Sequence, residues 1–232
     1  MSSRIGHPLA YPLCVTIGAL AVLTAWAPFA DPDQLSALAV VGAGIVGYSG
    51  YRVAVALGVV GYRAEGSTTV PVRRVRQEYQ LVSRSWLELR DAKVQSWLPV
   101  YFTPELIRFT GGTARLTGRQ ILLCPESDEV AAGEQQPELR VLPAGRARDS
   151  EPPGRLVDNP TRTYPDAAAR STTATKIGRR LLLDAQPAVA APFIALLWVY
   201  VMGGGTAAFI AALCVAAATG TWLSAIRGSD PS

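Results

Sequence analysis

The chain has 232 residues, of which 49% are hydrophobic and 17% charged, and its formal net charge at pH 7 is +4. This composition is too apolar for an ordinary soluble domain of that length, and the charge excess is too small to favour nucleic-acid binding. Apolar residues are concentrated at both ends, whereas residues 62–186 hold 19 of the 22 basic and 15 of the 18 acidic residues. The sequence therefore indicates a membrane protein that carries one polar domain.

Four apolar runs are long enough to be membrane-spanning helices, since a hydrocarbon layer about 30 Å thick needs roughly 20 apolar residues. The runs cover residues 12–29, 35–61, 187–202 and 206–226. The first ends in Ala25-Trp26-Ala27, which resembles a signal-peptidase site, but Pro28 disfavours cleavage, so we predict a retained helix. Because the runs occur in two pairs, we predict two helical hairpins that flank the polar domain.

The connections within the two pairs contain no basic residue. Asp31 and Asp33 lie in the first connection, and three consecutive glycines starting at Gly203 form the second. Basic residues instead follow or precede the opposite ends of the runs, and cytoplasmic loops retain Lys and Arg. We therefore expect a multi-pass protein of the inner (plasma) membrane, with both termini and the polar domain in the cytoplasm.

The predicted fold class is α+β, with four transmembrane helices and a small cytoplasmic β-barrel-like domain. We divide the chain into a first hairpin (1–62), a β domain (63–165), an amphipathic connecting helix (166–186) and a second hairpin (187–232). Within the β domain, runs of strand length are separated by Gly, Pro, Asn and Asp, which favour turns. Strands are expected at LVSRSWLELR, VQSWLPVYF, LIRFT, ARLTGRQILLC, ELRVL and GRLVDNP.

The connecting helix is predicted from a capping residue and a helical repeat. Asp166 can cap its N-terminus, and Ala167, Ala174, Ile177 and Leu181 share one face. The pattern leaves two placements of this helix open. The helix can lie along the anionic inner leaflet, or it can pack on the β domain.

Arg52 is a permanent cation inside the second apolar run. If that helix enters the membrane at Leu35, Arg52 lies about 25 Å deeper, near the inner boundary of the hydrocarbon, where a long side chain can reach water or phosphate. Three interpretations stay open. Arg52 can be an anchor whose following apolar residues pack on the polar domain, it can dock against another subunit, or it can contact a lipid headgroup or substrate.

Two sets of candidate site residues follow. Small residues four positions apart allow close helix packing, either with another helix of this chain or with another subunit. This candidate helix-packing or subunit interface comprises Gly50, Arg52, Ala54, Gly58, Ala208, Ala212, Ala216 and Gly220. Basic residues beside the membrane are candidate contacts for anionic lipids. They are Arg73, Arg74, Arg76, Lys176, Arg179 and Arg180.

The sequence carries no pattern typical of catalysis or metal binding. Its only histidine is His7, the cysteines Cys14, Cys124 and Cys214 lie far apart, and no phosphate-binding G-x-x-x-x-G-K-[ST] motif occurs. The four apolar runs contain no acidic residue that could relay protons. We therefore expect no enzyme activity, no cofactor and no metal.

The segments HPLAYPLCV, WLPVYFTPELIRF and GRLVDNPTR resemble the accessory subunits of actinobacterial Mce-type lipid importers known as lipid-uptake coordinators. The resemblance implies a protein without catalytic activity that docks its spans on a permease subunit, stabilises a lipid-transport complex and contacts membrane lipids. It assigns no site residue. The alternative is a membrane-tethered sensor or binding module whose β domain recognises a cytosolic ligand or protein.

Overall fold

The computed structural model describes residues 7–60, 67–79, 81–90, 95–109, 111–118, 120–125, 138–158 and 165–232. The architecture in these ranges is α+β. The helices are α1 (Ala10–Trp26), α2 (Pro32–Ala56), α3 (Ala167–Ala174), α4 (Ile177–Asp184), α5 (Ala191–Met202) and α6 (Gly205–Ile226). The strands are β1 (Ser67–Tyr79), β2 (Val82–Arg90), β3 (Gln95–Val100), β4 (Gly112–Thr117), β5 (Gln120–Pro125), β6 (Leu139–Val141) and β7 (Arg155–Asp158).

Four helical stretches are long and apolar enough to cross a membrane, as the sequence predicts. They are Ala10–Phe29, Pro32–Ala56, Ile177–Met202 and Gly205–Ile226. The second begins with a capping interaction in which the Asp31 carboxylate accepts a hydrogen bond of 2.8 Å from the Gln34 N–H, and Pro32 occupies the first helical position. This fixes where α2 starts.

The helix α6 lies at the centre of the helical part and packs along both α1 and α5. Its contact with α2 is concentrated near Trp222, whose indole N–H donates a hydrogen bond of 3.0 Å to the Ser49 hydroxyl. Ile45 and Trp222 are buried there together with Ala19, Leu23 and Ile226. The helices are thus held together mainly through their contacts with α6.

The strands form one antiparallel sheet in the order β3-β2-β1-β4-β5-β6, with β7 paired to the remaining length of β1. The sheet curls into a half-barrel, in place of the β-barrel-like domain expected from the sequence. Its concave side holds a fully buried core that includes Leu87, Leu98, Leu106, Ile121 and Leu123. Burial of these side chains supplies the main drive for folding of the domain.

The longest strand, β1, is absent from the sequence-based prediction. It has 13 residues and pairs with β2, β4 and β7, so the sheet is built around it. Val70 and Val72 follow the alternation expected of a strand, but the next three buried positions hold Arg74, Val75 and Gln77, of which two are polar and two are consecutive. Because buried polar residues replace apolar ones, the alternation that identifies a strand is lost.

The predicted strand LIRFT is wrong. Residues Pro104–Ile107 form a single 3-10 turn, for which Pro104 supplies the fixed φ of the first helical position. This turn directs Leu106 and Phe109 into the core of the half-barrel. The segment therefore closes the core instead of extending the sheet.

The predicted connecting helix is two shorter helices, α3 and α4, which meet at Thr175 and Lys176. In α3, Ala167 and Ala174 are buried against Phe102 and Ile107 of the β domain. In α4, Ile177 is 72% exposed, so the single face predicted for this segment is divided between the two helices. The helix α3 packs on the β domain beside the 3-10 turn, whereas α4 leaves apolar side chains exposed.

Candidate functional site

An open groove runs along α6 between α2 and α5 and has a volume of about 610 Å³. It exists because α6 packs closely on α1 and α5 but meets α2 at few points. Apolar side chains form most of its walls, while Asp31 and Gln34 lie at the end nearest the α5–α6 turn. We call this feature the groove. An apolar concave surface of this size can accept a helix or an acyl chain.

The small residues predicted on α6 all line the groove. They are Ala208, Ala212, Ala216 and Gly220. A Cβ atom at Gly220 would lie 3.8 Å from the backbone of Pro187 and Ala188, so the segment before α5 can approach α6 closely. Ser224, one turn further on, lies outside the groove and is buried. One stripe of α6 with a spacing of four residues thus presents small side chains to the groove, beside the larger Val215 and Leu223.

Of the small residues predicted on α2, Gly50 and Ala54 lie one turn apart within the helix, whereas Gly58 lies beyond its end. Gly50 is exposed, and a Cβ there would meet nothing within 4 Å, while Ala54 is half-buried. Gly58 lies beyond the end of α2, has a φ of 68° and donates its N–H to the Val55 carbonyl at 2.9 Å. Only glycine adopts this conformation readily, so Gly58 ends the helix and contributes nothing to its packing face.

The side chain of Arg52 contacts its own chain at the junction between α2 and the β domain. Its guanidinium carbon lies 5.7 Å from the centre of the Tyr48 ring. Four residues later, Ala56 is buried with Tyr101, Leu142 and Ala144 of the β domain. This arrangement agrees with the interpretation in which the residues after Arg52 pack on the polar domain.

Two further arginines lie at the same junction. Arg84 on β2 forms an isolated bridge with Ser229, and Arg227 follows α6 and donates a hydrogen bond of 3.3 Å to the Tyr48 hydroxyl. The sequence prediction assigned Arg84 no role, because it occurs in a strand that is rich in charge. Because the five residues after Arg84 on β2 are all buried, no alternation in this strand indicates the direction of its side chain.

The arginines of β1 are paired with acidic groups of the β domain or of the last residues. Arg73 forms an ion pair of 2.6 Å with Glu88, which also accepts a hydrogen bond from Arg90. Burial opposes ionisation of Glu88, but the hydrogen bonds from Arg90 and Arg73 outweigh it and hold the pKa of this carboxyl below its usual value. Arg76 contacts Glu78 at 2.8 Å. These pairs engage Arg73 and Arg76 with acidic groups of the same chain.

The basic residues at the start of α4 differ in exposure. Lys176 and Arg179 are exposed, and Arg179 also donates a hydrogen bond of 3.2 Å to the Pro231 carbonyl. The Arg180 guanidinium lies 3.9 Å from the centre of the Tyr11 ring, and the Tyr11 hydroxyl donates to Asp184 at 2.6 Å. Lys176 and Arg179 are thus the predicted lipid contacts that remain accessible beside the exposed apolar side chains of α4.

Residues 229–232 turn back from α6 into the β domain. The Asp230 N–H donates to the Ser83 carbonyl at 2.8 Å, and the Asp230 carboxylate pairs with Arg74 at 2.6 Å. Both side chains are buried, with 2% exposure for Arg74 and 0% for Asp230. Although burial favours the neutral carboxyl, the charge of Arg74 and a hydrogen bond from Ser85 hold the pKa of Asp230 below its usual value.

The site therefore has three parts: the groove, the arginines at the junction, and the buried ion pair that joins the end of α6 to β1. The sequence predicted the small face of α6, but it did not indicate the groove beside it or the partner of Arg74. Comparison of the chain with protein-family models, with curated proteins and with solved structures gives no match.

Proposed function

We propose that the chain is a non-enzymatic accessory subunit of an inner-membrane complex that moves lipids, and that it docks on a permease subunit through its helices. The groove carries this proposal. Its small side chains on α6 would let a helix of the permease approach the α6 backbone closely, which is how helices associate in lipid.

The stripe of small side chains favours a transmembrane helix over an acyl chain as the occupant of the groove. It extends along α6 from Ala208 to Gly220, and such a stripe allows the close approach of two helix backbones in lipid. The resemblance to Mce-type importers supports lipid as the cargo.

The first experiment tests docking. In the wild-type chain, purification in mild detergent followed by mass spectrometry is expected to recover an integral membrane subunit together with this protein. Ala212→Phe fills the centre of the groove, so recovery of that subunit is expected to fall by about tenfold or more.

Ala43→Phe is the matched control for this experiment. Ala43 is exposed on α2 and does not line the groove, so the same change there should leave recovery unaltered. Repeated recovery of the wild-type chain alone, or equal recovery with Ala212→Phe and Ala43→Phe, would contradict the docking proposal.

We also propose that the β domain and both termini face the cytoplasm. The turn at Gly204 lies beside Gln34, since a Cβ at Gly204 would be 3.7 Å from the Gln34 amide nitrogen, and this end of the helices carries acids and no base. Arg52 and Arg227 lie at the opposite end, beside the β domain. Basic residues retained on the inner side support this orientation.

A membrane-impermeant thiol reagent tests the orientation in intact cells. The variants Asp33→Cys and Ser150→Cys are made in a background whose native cysteines are replaced by alanine. Cys at position 33 is expected to react from outside, and Cys at position 150 only after the membrane is permeabilised. The reverse pattern would show that the β domain is external.

A further inference from the structure

Three guanidinium groups converge where the ends of α2 and α6 meet the β domain. The guanidinium carbons of Arg52 and Arg227 lie 5.7 Å and 5.8 Å from the centre of the same Tyr48 ring. Arg84 is brought to them by its bridge to Ser229, two residues after Arg227. Tyr101 lies beside them, with its hydroxyl donating a hydrogen bond of 2.8 Å to the Ile226 carbonyl. We call this set the arginine cluster.

The arginine cluster has no acidic partner within the described part of the chain. The ion pairs among the described residues all involve arginines outside the cluster. Asp230, the acidic residue that follows Arg227 in the sequence, is already paired with Arg74. The Nε–H groups of Arg52 and Arg84 are buried and have no hydrogen-bond partner among the described residues. A buried charged donor without an acceptor is costly, so this arrangement calls for an anion.

The C-terminal ends of the helices offer electrostatic support to only two of the three arginines. Arg52 and Arg227 lie at or near the C-terminal ends of α2 and α6, where the partial negative charge of the helix favours a cation. Arg84 lies on a strand and has no such support. Burial, followed by the charges of Arg227 and Arg52, lowers the pKa of Arg84 to about 10. The three groups therefore repel one another.

We propose that Arg52, Arg84 and Arg227 bind a phosphate group. A guanidinium presents a planar fork of donors that fits phosphate oxygens. When several guanidinium groups surround one anion, the attraction of each group to the anion offsets the repulsion among the groups. The Tyr48 ring lies against Arg52 and Arg227 and helps to hold their guanidinium groups near each other.

The position of the arginine cluster favours a lipid headgroup as the source of the phosphate. Arg52 lies 17 residues after Leu35, about 25 Å along α2, which is close to the thickness of the hydrocarbon layer. Basic sites between helices on the cytoplasmic side bind the headgroups of anionic lipids. This source depends on the proposed membrane insertion, whereas the phosphate site does not depend on the docking of a partner in the groove.

The test uses the whole chain in neutral detergent and follows its thermal unfolding. Phosphatidylglycerol, phosphatidylcholine and inorganic phosphate are added separately at constant ionic strength, and native mass spectrometry counts the lipids retained. Phosphatidylglycerol is expected to raise the unfolding temperature and to bind about tenfold or more tightly than phosphatidylcholine. If inorganic phosphate stabilised the protein and phosphatidylglycerol did not, the phosphate site would be supported, but its ligand would be a soluble anion and not a lipid.

Two variants connect binding to the arginine cluster. Arg84→Gln is expected to weaken binding of phosphatidylglycerol by about tenfold or more, and Arg84→Lys, which keeps the charge but loses the fork, to weaken it less. Arg115→Gln is the control, because Arg115 is half exposed and pairs with Glu138 on another part of the sheet. Its binding should equal that of the wild type.

The behaviour without lipid separates a binding role from a structural one. Arg84→Gln removes repulsion, so in lipid-free detergent it should unfold at the same temperature as the wild type or at a higher one. The proposal would be overturned if Arg84→Gln unfolded at a lower temperature than the wild type in lipid-free detergent. It would also be overturned if wild type and Arg84→Gln bound phosphatidylglycerol equally, if the two lipids bound equally, or if no probe had an effect.

Discussion

Asp230→Asn is expected to lower the free energy of unfolding of the β domain by about 3–5 kcal/mol, because the change leaves Arg74 charged, buried and without its counterion. Arg74 is 2% exposed and cannot turn to water without opening the core. Thermal and urea unfolding of the whole chain in detergent, followed by tryptophan fluorescence, measures the loss.

Two controls separate the loss of charge pairing from the loss of packing. The double variant Arg74→Met/Asp230→Leu removes both charges, so it should recover most of the stability that Asp230→Asn loses. Glu138→Gln breaks the pair with Arg115, in which both side chains are at least 39% exposed, and should cost less than about 1 kcal/mol. If Asp230→Asn cost no more than Glu138→Gln, the buried pair would have no special role.

The same pair gives the stability of the wild type a defined dependence on pH. Because the pKa of Asp230 is lower in the folded protein than in the unfolded chain, its contribution is present above the unfolded value of about 3.9 and is lost as the pH falls through the folded value. Stability should therefore decline below about pH 4 more steeply in the wild type than in Asp230→Asn.

Leu123→Ala is expected to cost about 2–5 kcal/mol, since it removes a fully buried side chain from the core of the half-barrel and leaves a cavity. Leu123 lies on β5 opposite Ala114 of β4, where a small neighbour cannot expand to fill the space. Urea unfolding of the whole chain measures this loss.

The neighbouring residue provides the control for the core. Leu122 is on the same strand but points to the other side of the sheet and is only half-buried. The same change to alanine at this position should cost clearly less, because less apolar surface leaves water on folding. Equal losses at both positions would mean that β5 is packed on its two faces alike.

The elements that depend on local composition were predictable from the sequence. Each apolar helix is defined by about 20 neighbouring residues, and the strands β2 and β5 by runs of apolar and β-branched residues between turns. The α+β class is confirmed on this basis. The strand β1 escaped prediction because Arg74 occupies a buried position whose partner, Asp230, is 156 residues away.

In the candidate site, too, some features follow from local sequence and others from contacts between distant residues. Small residues repeat every four positions on α6, so Ala212 and Ala216 could be named from the sequence, and they lie in the groove. The groove itself depends on how far α2 stands from α6, and the arginine cluster depends on three elements that meet in space. No short segment of the sequence determines the separation of α2 from α6 or the meeting of those three elements.

The attachment of residues 229–232 to β1 and β2 has a consequence for biogenesis. During synthesis the central sheet leaves the ribosome before Asp230 exists, so Arg74 stays without its counterion until α6 has been made. The β domain can therefore complete its core only after all four apolar helical stretches have been synthesised. A fragment spanning residues 67–158 alone would remain in the immature state, and restoring it would require supplying the peptide that contains Asp230.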